Sequence, residues 1–372
     1  MNRGEFLDHL DAALQNLSAK DRTDALNFFE EMIADKAADQ GRSEEDVIAD
    51  LGPVEEIAKS VLSSMPAAGS EAQPPANKAP ARAAVAQSIP GEGGATGKRV
   101  EMSADQVRNV ILRVTDCPLI IRRGGDTQLT LQYTETEDLH FECSLEDGEL
   151  RLIQQSRVRY GLFGWRIWAR RTDMTIELTV PADIASSLDA QTSNSSVRAE
   201  DISFWGDLRL QNANGRIQCK GLQARSVELA TSNASIRAEH ILSQQGMDLR
   251  TSNASITAES LRAAQAITLR TSNGHVEARQ VQGNQISLRS SNGALQFGGL
   301  EAPDITLVTS NGRIEGGVTG KPAEYTVTAS TVNASNSLKN HPAGGPRRLE
   351  VRTLNANIQV HFEGEAVASS NG

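Results

Sequence analysis

Only three cysteines, Cys117, Cys143 and Cys219, occur in 372 residues. An odd number at wide spacings forms neither a disulfide framework nor a zinc site, so no metal and no cofactor is expected. Aromatic residues make up 4% of the chain and hydrophobic residues 38%, which points to a core of small aliphatic side chains. No stretch of about 18 apolar residues exists, and this excludes a membrane-spanning helix. The opening residues Met1–Asp8 lack a cationic segment followed by an apolar run. No secretory signal peptide is expected, and the expected location is the reducing cytoplasm. A basic field is missing too: net charge is −10, so no nucleic-acid partner is expected.

The negative charge is concentrated at one end. Residues 1–65 hold 15 Asp+Glu against 6 Lys+Arg, whereas the remainder is nearly balanced at 32 against 31. This acidic segment reads as a separate small all-α domain. Phe6, Leu7, Leu10, Leu14 and Leu17 keep helical spacing. Ser18-Ala19-Lys20-Asp21 has the form of a capping box ahead of Ala25, Phe28, Phe29, Met32 and Ile33. Ser43-Glu44-Glu45-Asp46 starts a third helix, and Gly52-Pro53 separates it from a fourth carrying Val54, Ile57, Ala58, Val61 and Leu62. Residues 66–99, rich in Pro, Ala, Gly, Ser and Gln, read as a flexible linker. Gly91–Arg99 fails as a phosphate loop on spacing and on the missing Ser/Thr after Lys98.

Residues 100–372 are β-rich and repetitive. Asparagine recurs at Asn194, Asn214, Asn233, Asn253, Asn273, Asn292 and Asn311, with looser copies at Asn333 and Asn355. Spacings of 19 or 20 residues separate the first seven. Six residues before each Asn stand Leu188, Leu208, Val227, Met247, Ile267, Ile286 and Ile305; four before stand Ala190, Leu210, Leu229, Leu249, Leu269, Leu288 and Leu307. After the Asn the apolar positions change to odd offsets, as in Val197, Ile217, Ile236, Ile256, Val276, Leu295 and Ile314. The change of parity predicts a turn at the Asn, which tolerates the left-handed conformation. The fold class that follows is mainly β: a single-chain β-helix, or β-solenoid, of 19–20-residue coils. Nine coils would give a rod core on the order of 40 Å long. Regular coils are placed at 184–360, and irregular leading strands at 105–183 cap the stack. A β-sandwich would not repeat one pattern at this period, and a leucine-rich repeat would carry a helical segment in each unit.

Two resemblances follow from these residues. Residues 3–64 resemble the HAAS-type helical domain of bacterial signalling and membrane-associated proteins, through Phe6-Leu7-x-x-Leu10, Phe28-Phe29-Glu30-Glu31 and Leu51-Gly52-Pro53-x-Glu55-x-Ile57-Ala58. Residues from about 105 to 360 are similar to the bacterial "putative adhesin" family of β-helical repeat domains. Ile176-Glu177-Leu178-Thr179-Val180-Pro181 and the repeated Thr-Ser-Asn-Gly/Ala-x-Ile/Val carry that likeness. The resemblance implies a β-helix without established enzymatic activity. Together the two families imply a role near the cell envelope, and a cytoplasmic chain peripheral at the inner membrane is the expected form of it.

Three sets of residues are candidates for function. The Thr/Asn ladder is expected to point inward or into a corner and to hold neighbouring coils together, rather than to form an ice- or ligand-binding face. Arg250, Arg270 and Arg289 form an outward stripe; a polyanion or anionic lipid would suit it, and solvated stems pairing with neighbours such as Asp248 would need no ligand. The segment Arg157–Arg171 combines Arg159, Tyr160, Phe163, Trp165, Arg166, Trp168, Arg170 and Arg171. It suits a membrane surface or a protein partner, or else a hairpin whose rings cap the open end of the solenoid. Asp201, Asp207, Asp248 and Asp304 fall at different offsets, the six histidines are scattered, and no HExxH or nucleophile-elbow motif occurs. The expectation is therefore a non-enzymatic interaction scaffold with a protein partner. An exported adhesin-like surface protein is the alternative, and a carbohydrate-active β-helix enzyme a further one. Self-association through unpaired strand edges is also expected to be open to such a rod.

Overall fold

The computed structural model describes residues 2–15, 43–58, 87–90, 96–155 and 174–364, with part of 22–33; positions 52, 56, 126, 137, 138, 182, 185 and 343 fall outside the description. Two compact units are present, one within Met1–Ala79 and the other built from Pro80–Ser156 and Met174–Gly372. In the first, a helix spans Arg3–Ala13, opened by a capping box in which the Asn2 side chain accepts from Glu5 N at 2.9 Å and Glu5 accepts from Asn2 N at 3.1 Å. A second helix spans Glu44–Leu51, with Ser43 Oγ accepting from Asp46 N at 3.2 Å. Phe6, Leu10, Leu14, Phe29, Ile33, Val47, Ile48, Val54 and Ala58 form one buried cluster, where the Phe6 and Phe29 rings meet edge to face. Short helices are marginal alone, and this shared apolar cluster is what stabilises them. The expected capping box at Ser18–Asp21 lies outside the described residues.

The second unit is a β-solenoid of about eight turns. Its strands form two sheets, of 15 and 12 strands. Each turn gives one strand to each sheet, and successive strands pair in parallel and in register: Leu229 over Leu210, Leu249 over Leu229, Leu269 over Leu249. The opposite sheet stacks Ile236, Ile256 and Val276 in the same way. Both columns are fully buried, so like side chains meet like along the axis and fill a narrow aliphatic core. Burying one such leucine is worth roughly 2–3 kcal/mol.

Chain order is not stacking order at either end. Asn109–Arg113 and Leu119–Arg123 are a full rung, paired directly with Ser187–Thr192 and Val197–Glu200. The chain then leaves to build Glu149–Gln155 and Ile176–Val180 on the far side of that rung before returning. At the other end Arg347–Arg352 and Ile358–Phe362 stack on Asp304–Val308 and Ile314–Val318. Tyr325–Ser330, earlier in sequence, lies outside them. The linker boundary also needs correction: Gln87–Pro90 and Thr96–Ser103 are antiparallel strands joined to Gln128–Glu135, and Val100 and Met102 enter the core. Covering the open end of a solenoid requires strands that depart from the repeat, and these carry no periodic signal.

The corner expected at the Asn needs no left-handed residue. Positive φ occurs instead seven positions later, at Asp201, Gly221, His240, Ser260, Gln280 and Gly299, with φ between 53° and 65°. Left-handed backbone costs a non-glycine residue about 1–2 kcal/mol.

Two stability tests follow. Leu249→Ala should cost about 2–5 kcal/mol in urea denaturation, whereas Leu242→Ala, at a side chain 44% exposed, should change stability by less than about 0.5 kcal/mol. His240→Gly should raise stability by about 1 kcal/mol by removing the left-handed strain.

Candidate functional site

A file of amides runs along one corner. In the order Asn194, Asn214, Asn233, Asn253, Asn273, Asn292, Asn311, Asn355 and Asn333, each Nδ2 donates to the preceding Oδ1 at 2.6–2.8 Å. The last two exchange places relative to the chain because their rungs do. At the other end Asn194 donates to Asp116 Oδ1 at 2.7 Å. A carboxylate can only accept, so Asp116 terminates the file and matches its single direction. The amides are exposed on the outside of the corner, correcting the inward orientation considered from offset parity. The residues two positions earlier are the ones turned inward. Thr251 and Thr271 hydroxyls donate at 2.9 Å to the carbonyls of Ala234 and Ala254 in the preceding coil, and Ser290 and Thr309 do the same to Gly274 and Gly293. A buried hydroxyl inside and an exposed amide outside thus bond each corner to the next.

The arginine stripe is real as a register column: Arg250, Arg270 and Arg289 lie side by side on adjacent strands. Arg250 is held by Glu228 and by Asp248, whose Oδ2 is 3.3 Å away. Arg289 Nε donates to Ser287 Oγ at 3.0 Å. No ion pair of Arg270 is found among the described residues. Burial pushes the Asp248 carboxyl up from its ordinary range, opposed by Arg250. The Arg157–Arg171 segment, with all eight of its candidate residues, lies outside the described residues. The four aspartates considered for catalysis do not converge: Asp201 occupies a left-handed corner, Asp207 binds Arg225 Nε at 2.9 Å and Ser226 Oγ at 2.6 Å, Asp248 faces Arg250, and Asp304 stands in register between Gln285 and Arg348. No cluster of three metal-ligating side chains occurs among the described residues.

Two surface features escaped the repeat reading. Trp205, just past the strand Ser203–Phe204, is 68% exposed while its neighbour Phe204 is buried. Leu242 stands on the outer surface between Gln223 and Arg262. The second feature is a groove of about 920 Å³ on the outer side of the larger sheet. Its floor is the backbone of Gly298, Gly299 and Gly316 over Phe297, and Glu277, Gln296, Glu315 and Gln359 stand along one wall. The signal was the paired glycines Gly298-Gly299 and Gly316-Gly317 in successive coils. Edge closure is visible as well: Val327 exchanges two 3.0 Å backbone bonds with His341, and Ala329 N donates to Asn340 Oδ1. These bonds occupy groups that end-to-end stacking would need.

The in-register rungs, aliphatic columns and clamped corners define a β-solenoid repeat protein. The chain belongs to the Toastrack DUF4097 family, whose model matches residues 107–343; the HAAS model matches residues 5–60. No curated protein matches. A "putative cell adhesion protein" from Clostridium sporogenes ATCC 15579 is 8% identical, with 72% of this chain and 99% of that one covered at a TM-score of 0.28. A "putative adhesin" from Bacteroides fragilis NCTC 9343 is 9% identical, with 72% and 94% covered at 0.27. One from Parabacteroides merdae ATCC 43184 is 11% identical, with 61% and 97% covered at 0.30.

The corner file can be tested with Asn253→Asp. The new carboxylate still accepts from Asn273 but loses its donation to Asn233 and faces that Oδ1 with a charge. Stability at pH 7 should fall by about 1–2 kcal/mol. The repulsion raises the new group's folded-state pKa, so stability is regained as pH falls through it and a proton restores the donor. Urea denaturation at pH 7 and pH 4 reads the difference.

Proposed function

We propose that this protein is a non-enzymatic interaction scaffold. The solenoid is a rigid body whose side surface contacts a protein partner, and the acidic HAAS region recruits or senses another. It acts in the cytoplasm, peripheral to the inner membrane. One observation carries the reading: the regular positions are consumed by core and corner contacts, yet Trp205 is left 68% exposed, with Leu242 44% exposed on the outer surface. Exposed tryptophan gains most by burial against a partner, where truncation of such an anchor typically costs 2 kcal/mol or more.

The test is affinity capture with the tagged full chain from its native host. A specific partner should be retained by the natural chain and reduced at least tenfold by Trp205→Ala, with the denaturation midpoint unchanged. Equal capture by both would overturn the Trp205 surface. Fractionation checks the location: a signal outside the cell would replace this reading by an exported adhesin-like protein. Turnover of any member of a polysaccharide panel would replace it by a carbohydrate-active enzyme.

A further inference from the structure

We infer that the glycine-floored groove binds a neutral polyhydroxylated ligand, a short glycan segment. The outward column that becomes this floor carries Glu239, Glu259 and Arg279 on three successive strands and then drops to Gly298. One coil further on, Gly317 again brings no side chain of its own to this column and lies under the Glu363 side chain, and at His361 the wall returns. Glycine within a strand costs about 0.5–1 kcal/mol relative to alanine and marks places where another group approaches the backbone closely. Gly299 has φ +65° and Gly316 φ +153°, a Cβ on Gly316 would clash with Phe297 O and one on Gly317 with Glu363 Oε1, so glycine has a local reason at these three; at Gly298 a Cβ would meet nothing nearer than Glu363 Oε1 at 3.7 Å. The missing side chain at Gly298 therefore serves the space it leaves, and about 920 Å³ is the size of an ordinary ligand site.

The lining chooses the chemistry. Phe297 lies beneath the floor and is only 7% exposed, so an apolar ligand gains little. Carboxylates on the walls reject anions. Two of them are already matched: Glu277 pairs with Arg279 at 2.7 Å and Glu315 with Arg313 at 3.1 Å, which removes much of the attraction for a polycation. What remains is a dense mixture of acceptors and bifunctional amides, Glu277, Glu315, Gln296 and Gln359 in one row. Hydroxyl groups donate to carboxylates and accept from amides, so a sugar satisfies both at once. Glu363 already marks the floor as hydrogen-bonding ground: its Oε1 accepts from Gly299 N at 2.8 Å. A ligand hydroxyl takes over that N–H while Glu363 accepts from it. This inference deepens the interaction reading by naming a ligand class, and it uses a different surface from Trp205.

The experiment is calorimetric titration of the full chain with cellotetraose, chitotetraose and maltotetraose, with spermine and a polygalacturonate fragment as cationic and anionic probes. At least one tetrasaccharide should bind with a Kd of roughly 0.1–1 mM, a range set by shallow polar sites. Gly298→Leu should weaken it at least tenfold, since its new Cβ meets Glu363 Oε1 at an ordinary 3.7 Å and the fold is kept. Gln296→Ala should weaken it several-fold, and Glu200→Ala, far along the same sheet, should leave it unchanged. Absence of binding by all three sugars, or binding that survives Gly298→Leu, overturns the inference. So does spermine or polygalacturonate binding that Gly298→Leu abolishes in place of sugar binding. Partner capture through Trp205 should be unaffected by Gly298→Leu, so failure of either reading is separable from the other.

Discussion

Parallel strands held in register by backbone hydrogen bonds are the constraint from which the rest follows. Once Leu249 lies over Leu229 and under Leu269, every other column is set by the same alignment: aliphatic inside, charged outside, hydroxyl and amide at the corner. A single coil has too little apolar surface to offset its own ordering entropy, and only the stack closes the core. This explains why aromatic residues are so few. A tube this narrow takes leucine, isoleucine, valine and alanine, while rings such as Tyr325 and Phe362 gather at the terminal rungs, packed 5.5 Å apart.

The corners show how polar residues can serve a repeat. Inside, the threonine hydroxyl donates to a partly buried carbonyl of the preceding coil, a bond worth about 0.5–1.5 kcal/mol. Outside, the amide file adds weaker bonds that water competes for, yet it acts at every coil and in one direction, towards Asp116. Ion pairs on the outer faces, such as Arg237 with Glu239 and Arg279 with Glu277, are solvent-exposed and contribute little each.

A surface made by repetition is informative where repetition stops. Gly298 replaces a charged side chain, and Trp205 and Leu242 stand where polar residues would be stable. Neither departure improves the solenoid, since glycine weakens a strand and an exposed tryptophan gains nothing from water. Both sites lie on a rigid support, which keeps the ordering cost of binding low.

Period and parity alone determined the solenoid, its coil length and its inward columns, because in-register stacking demands the same residue type at the same offset in every turn. The helical unit was equally legible from Phe6, Leu10 and Leu14, whose spacing is the local geometry of a helix. Tertiary structure decided what depends on which rungs meet. Asn355 precedes Asn333 in the amide file because the Arg347–Phe362 rung stacks inside the Tyr325–Ser330 strand. The asparagines face outward because the chain bends before their side chains can follow the strand's alternation, and the left-handed turn sits at Asp201 and His240, where no residue type announces it. The groove, too, exists only after Gly298 is brought beside Arg279 on the neighbouring strand, since a missing side chain becomes a cavity only when its neighbours in space stand taller.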